Sequence, residues 1–345
     1  LSVCPTYSGA AASFILCVKG CFVMPHVSIV VPAFNTLETL PETVSSLLAQ
    51  TYTDFEIIVV DDGSTDGTAA WVEAQPDPRV RLFRQVNRGL AGARNGGIIA
   101  AEGELIGFCD GDDLWEPEKL AKHVAYLADH PEMGVSYSAS LLVDEANRSL
   151  GIIQAPRTAD VAAHHILLRN PVGNGSAPVI RAATLHDIGY QPKGEARMWY
   201  FDENLRQSED IECWIRIALT TDWGFGGLSE PLTRYRIVSG GLSANLDKQF
   251  ATWTKMADKV RMIAPEFAKK WLPAAEAYQR RYLARRAVSL GDGKVALRLQ
   301  MQGYAKSLHP LFFEPRKTIS TLGASVVMVL GGKRLIDRAL RKAAS

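Results

Sequence analysis

Cysteine is scarce in this 345-residue chain, and the five cysteines form neither a Cys-x-x-Cys pair nor a spacing typical of a metal site. This scarcity excludes a disulfide-based scaffold and favours a reducing compartment such as the cytosol. The sequence also lacks the GxxxxGK[ST] loop of P-loop NTPases, the GxSxG elbow and the HExxH zinc motif. The hydrolase and NTPase classes that depend on those motifs are therefore excluded.

The residue types are balanced as in a globular protein, with 47% hydrophobic and 22% charged residues. The net charge of +1 hides an uneven distribution. Residues 251–345 hold 19 basic and 6 acidic side chains, whereas residues 1–250 hold 19 and 31. An acidic body repels a phosphate backbone, so we expect no nucleic-acid partner, while the basic C-terminal region is compatible with an anionic membrane surface.

The first 25 residues do not resemble a signal peptide. Their apolar stretch, Ala10–Val18, is followed rather than preceded by Lys19, which is the wrong polarity. We expect residues 1–25 to be a disordered or non-native extension and the protein to be cytoplasmic.

From Val27 onward, short apolar runs alternate with segments of helical periodicity. The runs predict strands over 27–31, 55–60, 79–84 and 104–109, and the segments between and after them predict helices over 37–50, 65–75, 89–101 and 117–130. This alternation is typical of right-handed βαβ units, so we predict an α/β fold with a Rossmann-like, mainly parallel sheet flanked by helices. Ligands of such sheets bind at the carboxyl ends of the strands.

The pattern is less regular after residue 131. We predict a strand over 133–138, an antiparallel hairpin over 140–150 and a helix over 209–221. A basic, helical C-terminal extension follows, with a helical hairpin over 278–290 and 294–307 around Gly291-Asp292-Gly293.

An acidic cluster, Asp61-Asp62-Gly63-Ser64-Thr65-Asp66, follows the second predicted strand. In one interpretation it is a turn in which Ser64 or Thr65 caps the next helix, which stabilises a helix by about 1 kcal/mol. In the other, a carboxylate at the strand end binds a base or a ribose.

A second acidic cluster, Asp110-Gly111-Asp112-Asp113, follows the fourth predicted strand. Two carboxylates 4 Å apart repel by roughly 4 kcal/mol at an effective dielectric constant of about 20. A divalent cation with oxygen ligands, Mg²⁺ or Mn²⁺, would offset this repulsion. The alternative is an acidic turn before the helix predicted at Pro117.

Two further segments have a structural and a functional interpretation. Ser208-Glu209-Asp210 opens a predicted helix, where acidic residues are favoured by the helix dipole. Gly89, Gly92 and Arg94 lie in a small-residue helix whose start could bind a diphosphate, or whose small residues could pack closely on the sheet.

Taken in order, five stretches resemble family-2 glycosyltransferases of the GT-A fold over residues 27–240. They are VSIVVPAFN (27–35), DFEIIVVDDGSTDGT (54–68), NRGLAGARNGG (87–97), LIGFCDGDDLW (105–115) and SEDIECWIRIA (208–218). The resemblance implies a nucleotide-diphosphate sugar donor, a Mn²⁺ or Mg²⁺ cofactor and transfer with inversion at the anomeric carbon. It also implies a donor-binding half over 26–130 and an acceptor-binding half over 131–245, followed by the basic helical region 246–345.

The resemblance assigns roles to individual residues. Asp210 takes the place of the catalytic base, with Glu209 beside it in support. Asp112 and Asp110 fill the DXD positions, Asp112 as the direct metal ligand and Asp110 closer to the ribose or sugar. The other implied nucleotide-binding residues are Pro32, Ala33, Asn35, Glu56, Asp61, Asp62, Arg94 and Arg236.

The acceptor stays open between a glycan and a lipid-linked molecule. The QxxRW signature of processive relatives is absent, so we expect one sugar per encounter, and Gln191–Tyr200 is an insertion-like segment on the acceptor side. The uncharged stretch Thr318–Gly332 is shorter than the roughly 20 residues that span a bilayer. With the basic residues after it, this stretch is either an interfacial anchor at the inner face of the membrane or part of a packed helical hairpin.

The sequence bears on three rival functions. A haloacid-dehalogenase-like phosphatase is excluded because Val60 and Asp113 occupy positions where its motif requires Asp and Gly. A nucleotidyltransferase would need a Gly-rich, Lys-bearing loop where this chain has Pro32–Leu37. The main alternative is a protein that binds a nucleotide sugar without transferring it.

Overall fold

The structure, a computed structural model, describes residues 26–237 and 246–332. The predictions for residues 1–25 and for the basic segment from Lys333 lie outside the described residues.

Four parallel strands form the first half of one sheet, in the order β3-β2-β1-β4. They are β1 (Val27–Ala33), β2 (Phe55–Asp61), β3 (Val80–Arg84) and β4 (Leu105–Phe108). Every residue of β1, β2 and β4 is buried, because helices cover both faces of the sheet. The predicted α/β fold is thus confirmed, although β1 continues through Pro32 to Ala33.

The second half of the sheet mixes strand directions. It contains β5 (Leu114–Trp115), β6 (Met133–Val143), β7 (Ser149–Gln154), β8 (Pro178–Arg181) and β9 (Gly224–Arg236). Strand β8 is antiparallel to β4 and β6, β9 is parallel to β6 and antiparallel to β5, and β7 pairs with β6 at the edge. The hairpin predicted over 140–150 is therefore made by the end of β6 and by β7, further along the chain.

Within residues 26–237 the structure describes seven helices: α1 (Leu40–Leu48), α2 (Thr68–Glu73), α3 (Gly89–Ala100), α4 (Lys119–Asp129), α5 (Ala163–Arg169), α6 (Ala182–Ile188) and α7 (Glu209–Thr220). Helix α2 is shorter than predicted and is not capped by Ser64 or Thr65. Asp66 accepts hydrogen bonds from the Thr68 amide at 3.0 Å and from its hydroxyl at 2.6 Å.

The C-terminal region folds into α8 (Leu246–Ile263), α9 (Pro265–Ser289), α10 (Gly293–Lys306), α11 (His309–Phe313) and α12 (Pro315–Gly331). The predicted helical hairpin is made by α9 and α10, with Asp292 accepting from the Val295 amide at 2.9 Å. Residues of α8 and α9, such as Trp253 and Leu272, belong to the same hydrophobic core as Trp214 of α7. None of the helices in the described part of the chain is long and apolar enough to cross a bilayer.

Candidate active site

The loops after β1 and β2 are tied together at the carboxyl edge of the sheet. Asn35, which adopts a left-handed φ of 53°, accepts from the Thr65 amide at 2.8 Å, and its own amide donates to the Ser64 hydroxyl at 3.0 Å. Asp61 accepts from the Ser64 amide at 3.0 Å. Asn35 and Asp61 are both implied for the nucleotide pocket, and they lie beside each other. They adjoin Pro32 and Ala33 at the end of β1.

Asp62 lies next to this loop but holds the start of α3. Its two carboxylate oxygens accept from the amides of Arg88 and Gly89, each at 2.8 Å. Those two amides are therefore not free for a phosphate, and the diphosphate interpretation of this helix start stays a prediction for its other amides.

Glu56 is not brought to the site. It lies near the first residue of β2, at the opposite end of the strand from Asp61. Its carboxylate accepts from the Ser28 hydroxyl at 2.7 Å and pairs with Arg81. We withdraw it from the nucleotide pocket.

Arg94 of α3 is the centre of the site. Its guanidinium is almost fully buried and donates to Glu209 of α7 at 2.8 Å and to Asp110, after β4, at 2.9 Å. Gly175 leaves the space for it, since a Cβ atom at that position would lie 2.0 Å from Nη2 of Arg94. One cation thus ties the loop after β4 to the first turn of α7.

Burial and charge act against each other in this network. Burial alone would lower the pKa of Arg94, but the charges of Asp110, Glu209 and Asp210 raise it, so the guanidinium stays protonated. Burial raises the pKa of Glu209 to about 7, although the charge of Arg94 lowers it. The cation must stay in place for these carboxylates to remain buried as ions.

The sequence suggests that the three carboxylates after β4 form one cluster, but in the structure they lie in different environments. Asp110 pairs with Arg94, whereas Asp113 turns inward and accepts from the Ser176 hydroxyl at 2.5 Å and from the Arg236 amide at 2.8 Å. Burial and its acidic neighbours raise the pKa of Asp113. Its carboxylate therefore lies in a different environment from that of Asp110.

Asp112 is the carboxylate of this loop that suits a metal ion. Burial, followed by the charge of Asp110, raises its pKa to about 6, so a divalent cation beside it would be favoured. No group of three or more Asp, Glu, His or Cys side chains in residues 26–237 and 246–332 is arranged to hold a metal. The donor set fits a Mg²⁺ or Mn²⁺ site of one or two carboxylates that substrate phosphates complete.

Arg236 braces this loop from β9. Its Nε atom donates to the backbone oxygen of Asp112 at 2.7 Å, and its Nη2 atom pairs with Glu42 at 2.7 Å. The guanidinium thus holds the acidic loop after β4, and its predicted contact with phosphates stays a prediction.

Asp210 lines a cavity of about 560 Å³, together with Arg94, Asp110 and residues of α9. Burial is the main cause that raises the pKa of Asp210. The residue before its helix, Ser208, has a left-handed φ of 61° and makes no side-chain cap, whereas Glu209 and Asp210 lie in the first turn, where the helix dipole favours acidic residues. Asn170, with a φ of 33°, places its amide nitrogen 3.5 Å from a carboxylate oxygen of Asp210.

Several residues of the site were not predicted from the sequence. Ser176, Gly175 and Asn170 come from the loop between α5 and β8, whose Asn- and Gly-rich stretch was the available signal. Tyr278, Tyr282 and Arg285 of α9 also line the cavity, and no local pattern points to them.

Comparisons with known proteins agree with this geometry. The family model described as glycosyl transferase family 2 matches residues 28–164. The protein EpsE of Bacillus subtilis (strain 168) is 31% identical over 219 residues, which cover 62% of this chain and 73% of EpsE. The chain belongs to glycosyltransferase family 2.

Other relatives and structures extend the likeness. The succinoglycan biosynthesis protein ExoO of Rhizobium meliloti is 35% identical over 216 residues, 59% of this chain and 60% of ExoO. S. aureus TarS 1–349 in complex with UDP-GlcNAc has a TM-score of 0.57 at 20% identity, covering 88% of this chain and 92% of that one.

The mannosyltransferase PcManGT of Pyrobaculum calidifontis, in complex with GDP-Man and Mn²⁺, has a TM-score of 0.55 at 20% identity, covering 90% and 87%. These structures show the same GT-A-type fold. Some relatives are much longer, and the chain spans 34% of an uncharacterized glycosyltransferase from Rickettsia felis.

Replacing Arg94 tests the central ion network. We expect Arg94→Met to lower the free energy of unfolding by about 3–5 kcal/mol, because it leaves buried carboxylates without their cation. The double variant Arg94→Met/Glu209→Gln should recover part of the loss, since the neutral amide removes one uncompensated charge. Urea unfolding followed by circular dichroism measures both.

The matched control is Arg84→Met, which removes an exposed arginine paired with Glu73 at 3.0 Å. Exposed pairs contribute about 0–1 kcal/mol, so this variant should be nearly neutral. An equally small loss for Arg94→Met would contradict a central role for the buried cation.

Proposed function

We propose that this chain transfers a sugar from a nucleotide-diphosphate donor to a hydroxyl acceptor, with inversion at the anomeric carbon. The observation that carries the proposal is the buried cation of Arg94, which holds the Asp210 helix against the acidic loop after β4. The proposed base, Asp210, and Asp110 of this acidic loop line the same cavity. Membership of family 2 supports the same activity.

The donor site is proposed at the carboxyl edge of the parallel strands. Asn35 and Asp61 lie there in a bonded pair of loops, where α/β folds bind nucleotides. The structurally similar TarS and PcManGT are named as complexes with UDP-GlcNAc and GDP-Man. Their likeness supports a nucleotide sugar but does not choose the base or the sugar.

Asp210 serves as the general base in this proposal. It takes the proton of the acceptor hydroxyl as that oxygen bonds to the anomeric carbon, and the bond from that carbon to the diphosphate oxygen breaks on the opposite face. The raised pKa of Asp210 suits a base, because a more basic carboxylate accepts a proton more readily at neutral pH.

A divalent cation is proposed at Asp112, with Asp110 beside it. When bound there it would neutralise the charge that develops on the leaving diphosphate. Arg236 keeps the backbone of this loop in place through its 2.7 Å bond to the Asp112 carbonyl.

Asp210→Asn separates catalysis from binding. We expect the variant to lose about 10²- to 10⁴-fold in kcat, because the amide cannot accept the proton, while it still binds donor. A screen of UDP-GlcNAc, UDP-glucose and GDP-mannose for thermal stabilisation with Mn²⁺ selects the donor, and calorimetry then compares its affinity for both proteins. Asp222→Asn, at an exposed site after α7, is the matched control and should behave as the unchanged protein.

The same assay decides the alternative. A protein that only binds a nucleotide sugar would release no nucleotide with any donor, although the donor would stabilise it. An Asp210→Asn variant that turns over at the original rate would remove Asp210 from the role of base.

Metal removal tests the second half of the proposal. EDTA should abolish transfer, and Mg²⁺ or Mn²⁺ should restore it. Mn²⁺ should raise the donor affinity of Asp112→Asn by a factor that is at least about tenfold smaller than for the unchanged protein, since a carboxylate ligand becomes neutral. Undiminished transfer after rigorous chelation would contradict the metal site.

An acceptor at a membrane surface is favoured by the orientation of α12. This helix buries the hydroxyls of Thr318 and Ser325 against Arg281 and Gln300, with hydrogen bonds of 2.7 Å each. Its opposite face exposes apolar residues: Ile319 is 59% exposed and Leu330 is 81% exposed, with Val326 between them. We assign this face to the anionic inner leaflet, because the basic residues Arg316 and Lys317 flank it and relatives such as ExoO are named for polysaccharide biosynthesis.

Vesicle flotation measures this contact. The protein should float with vesicles of phosphatidylglycerol and phosphatidylcholine more than with phosphatidylcholine alone, and Val326→Asp/Leu330→Asp should reduce the bound fraction at least about tenfold. Val86→Asp, at a valine that is 77% exposed in the N-terminal half, is the control. Equal flotation of the double variant would contradict the assignment.

A further inference from the structure

A second cavity of about 590 Å³ lies between the β6–β7 edge, α5 and the C-terminal helices. Its volume is within the range of about 300–1,000 Å³ that is usual for small-molecule sites. It shares lining residues with the cavity of Asp210, among them Gln154, Asn170 and Tyr278. The two cavities therefore adjoin, and none of the site residues assigned above explains the second one.

One wall of this second cavity is a connected set of aromatic rings. His164 stacks on Trp271 with ring centroids 4.4 Å apart, and His309 stacks on Phe313 at 4.0 Å. Trp271 meets His309 edge to face at 6.2 Å. Burial lowers the pKa of both imidazoles, so they present neutral rings at physiological pH.

The facing side of the cavity is polar. Ser138, Ser140 and Gln154 line it, and Ser140 accepts from Asn174 at 2.8 Å. The basic side chains of Arg169 and Lys317 both pair with Glu314, and Arg157 donates to the Ala159 backbone oxygen at 3.0 Å. A ligand that bears hydroxyl groups on one side and an apolar face on the other is complementary to these two walls.

Asn170 stands where the two cavities meet. Its amide nitrogen lies 3.5 Å from Asp210, while its Oδ1 atom is buried and has no hydrogen-bond partner within the described ranges. The residue is held in a left-handed conformation, with φ 33°. An unsatisfied buried acceptor beside the base is suited to a hydroxyl of a ligand that extends from one cavity into the other.

We propose that the aromatic cavity binds a sugar unit of the acceptor, adjacent to the unit whose hydroxyl is glycosylated, so that the acceptor is an oligosaccharide or a glycan chain. A pyranose has an apolar C–H face that packs on aromatic rings and a rim of hydroxyls that bonds to amides and serines. The inference rests on the proposed function, which places the reacting hydroxyl at Asp210.

An isoprenoid tail fits this cavity less well. It would cover the buried Oδ1 atom of Asn170, which has no hydrogen-bond partner within the described ranges, without offering it a donor, and burial of an unpaired polar group is costly. The apolar, exposed face of α12 is separate from the aromatic wall and is the better surface for lipid.

Direct binding of oligosaccharides tests the inference without transfer. Calorimetry with mono-, di- and tetrasaccharides of glucose, mannose and N-acetylglucosamine should find at least one series in which the disaccharide binds tenfold or more tightly than its monosaccharide. Trp271→Ala and Phe313→Ala should each weaken that binding at least fivefold. Phe313 is 71% exposed, so its truncation leaves no core void, and melting curves check that both variants are folded.

Trp223→Ala is the matched control, because Trp223 lines neither of the two cavities and its truncation should leave oligosaccharide binding unchanged. In transfer assays with the same sugars, the two cavity variants should raise KM for the oligosaccharide acceptor.

Three results would overturn the inference: no binding by any series, equal affinity for mono- and disaccharides, or affinity that Trp271→Ala and Phe313→Ala leave intact. Binding of farnesyl phosphate that depends on Trp271 and exceeds sugar binding would overturn it as well. Failure of the proposed function gives a different result: the donor is neither hydrolysed nor transferred. Oligosaccharide binding is measured separately by calorimetry and does not depend on that outcome.

Discussion

The candidate site depends on one buried cation. Arg94 lies on α3, yet it bonds to a carboxylate after β4 and to a carboxylate in the first turn of α7. A fully buried guanidinium is tolerated only if its partners are charged and well placed. Because a shift of either carboxylate would leave a buried charge without its partner, Arg94 ties the acidic loop after β4 to the Asp210 helix.

Asn95, the neighbour of Arg94, extends the same constraint to the chain before α7. Its side chain donates to the Phe201 carbonyl at 2.8 Å and accepts from the Tyr200 and Phe201 amides at 3.0 and 2.8 Å. The Phe201 ring lies beside the Arg94 guanidinium, 5.5 Å from ring centroid to Cζ. Two consecutive residues of one helix therefore hold both the start of α7 and the segment that leads into it. Small residues in α3 let the helix lie close to these two elements.

Much of the donor half could be predicted from the sequence because its signals are local. Uninterrupted apolar runs identify β1 and β2 as central strands, and acidic residues directly after a strand must lie at the sheet edge. The failures share a cause. Asp113 turns inward to bond with Ser176 and Arg236, which lie 63 and 123 positions further along the chain. Glu56 pairs with Arg81 of a neighbouring strand. No local pattern contains such partners.

The acceptor side differs from the donor side in how it is built. Its walls come from the loop after α5 and from α9 and α11. The sequence predicts α9 and α11 only as parts of a basic helical region. Tyr278 of α9 lines both cavities, and other residues of α9, such as Leu272 and Ala275, pack in the same core as Trp214, four positions after Asp210. The proposed acceptor wall and the helix of Asp210 thus share one core. Under the proposed function, replacement of the exposed rings of these helices alters the acceptor site and leaves the buried ion network of Arg94 intact.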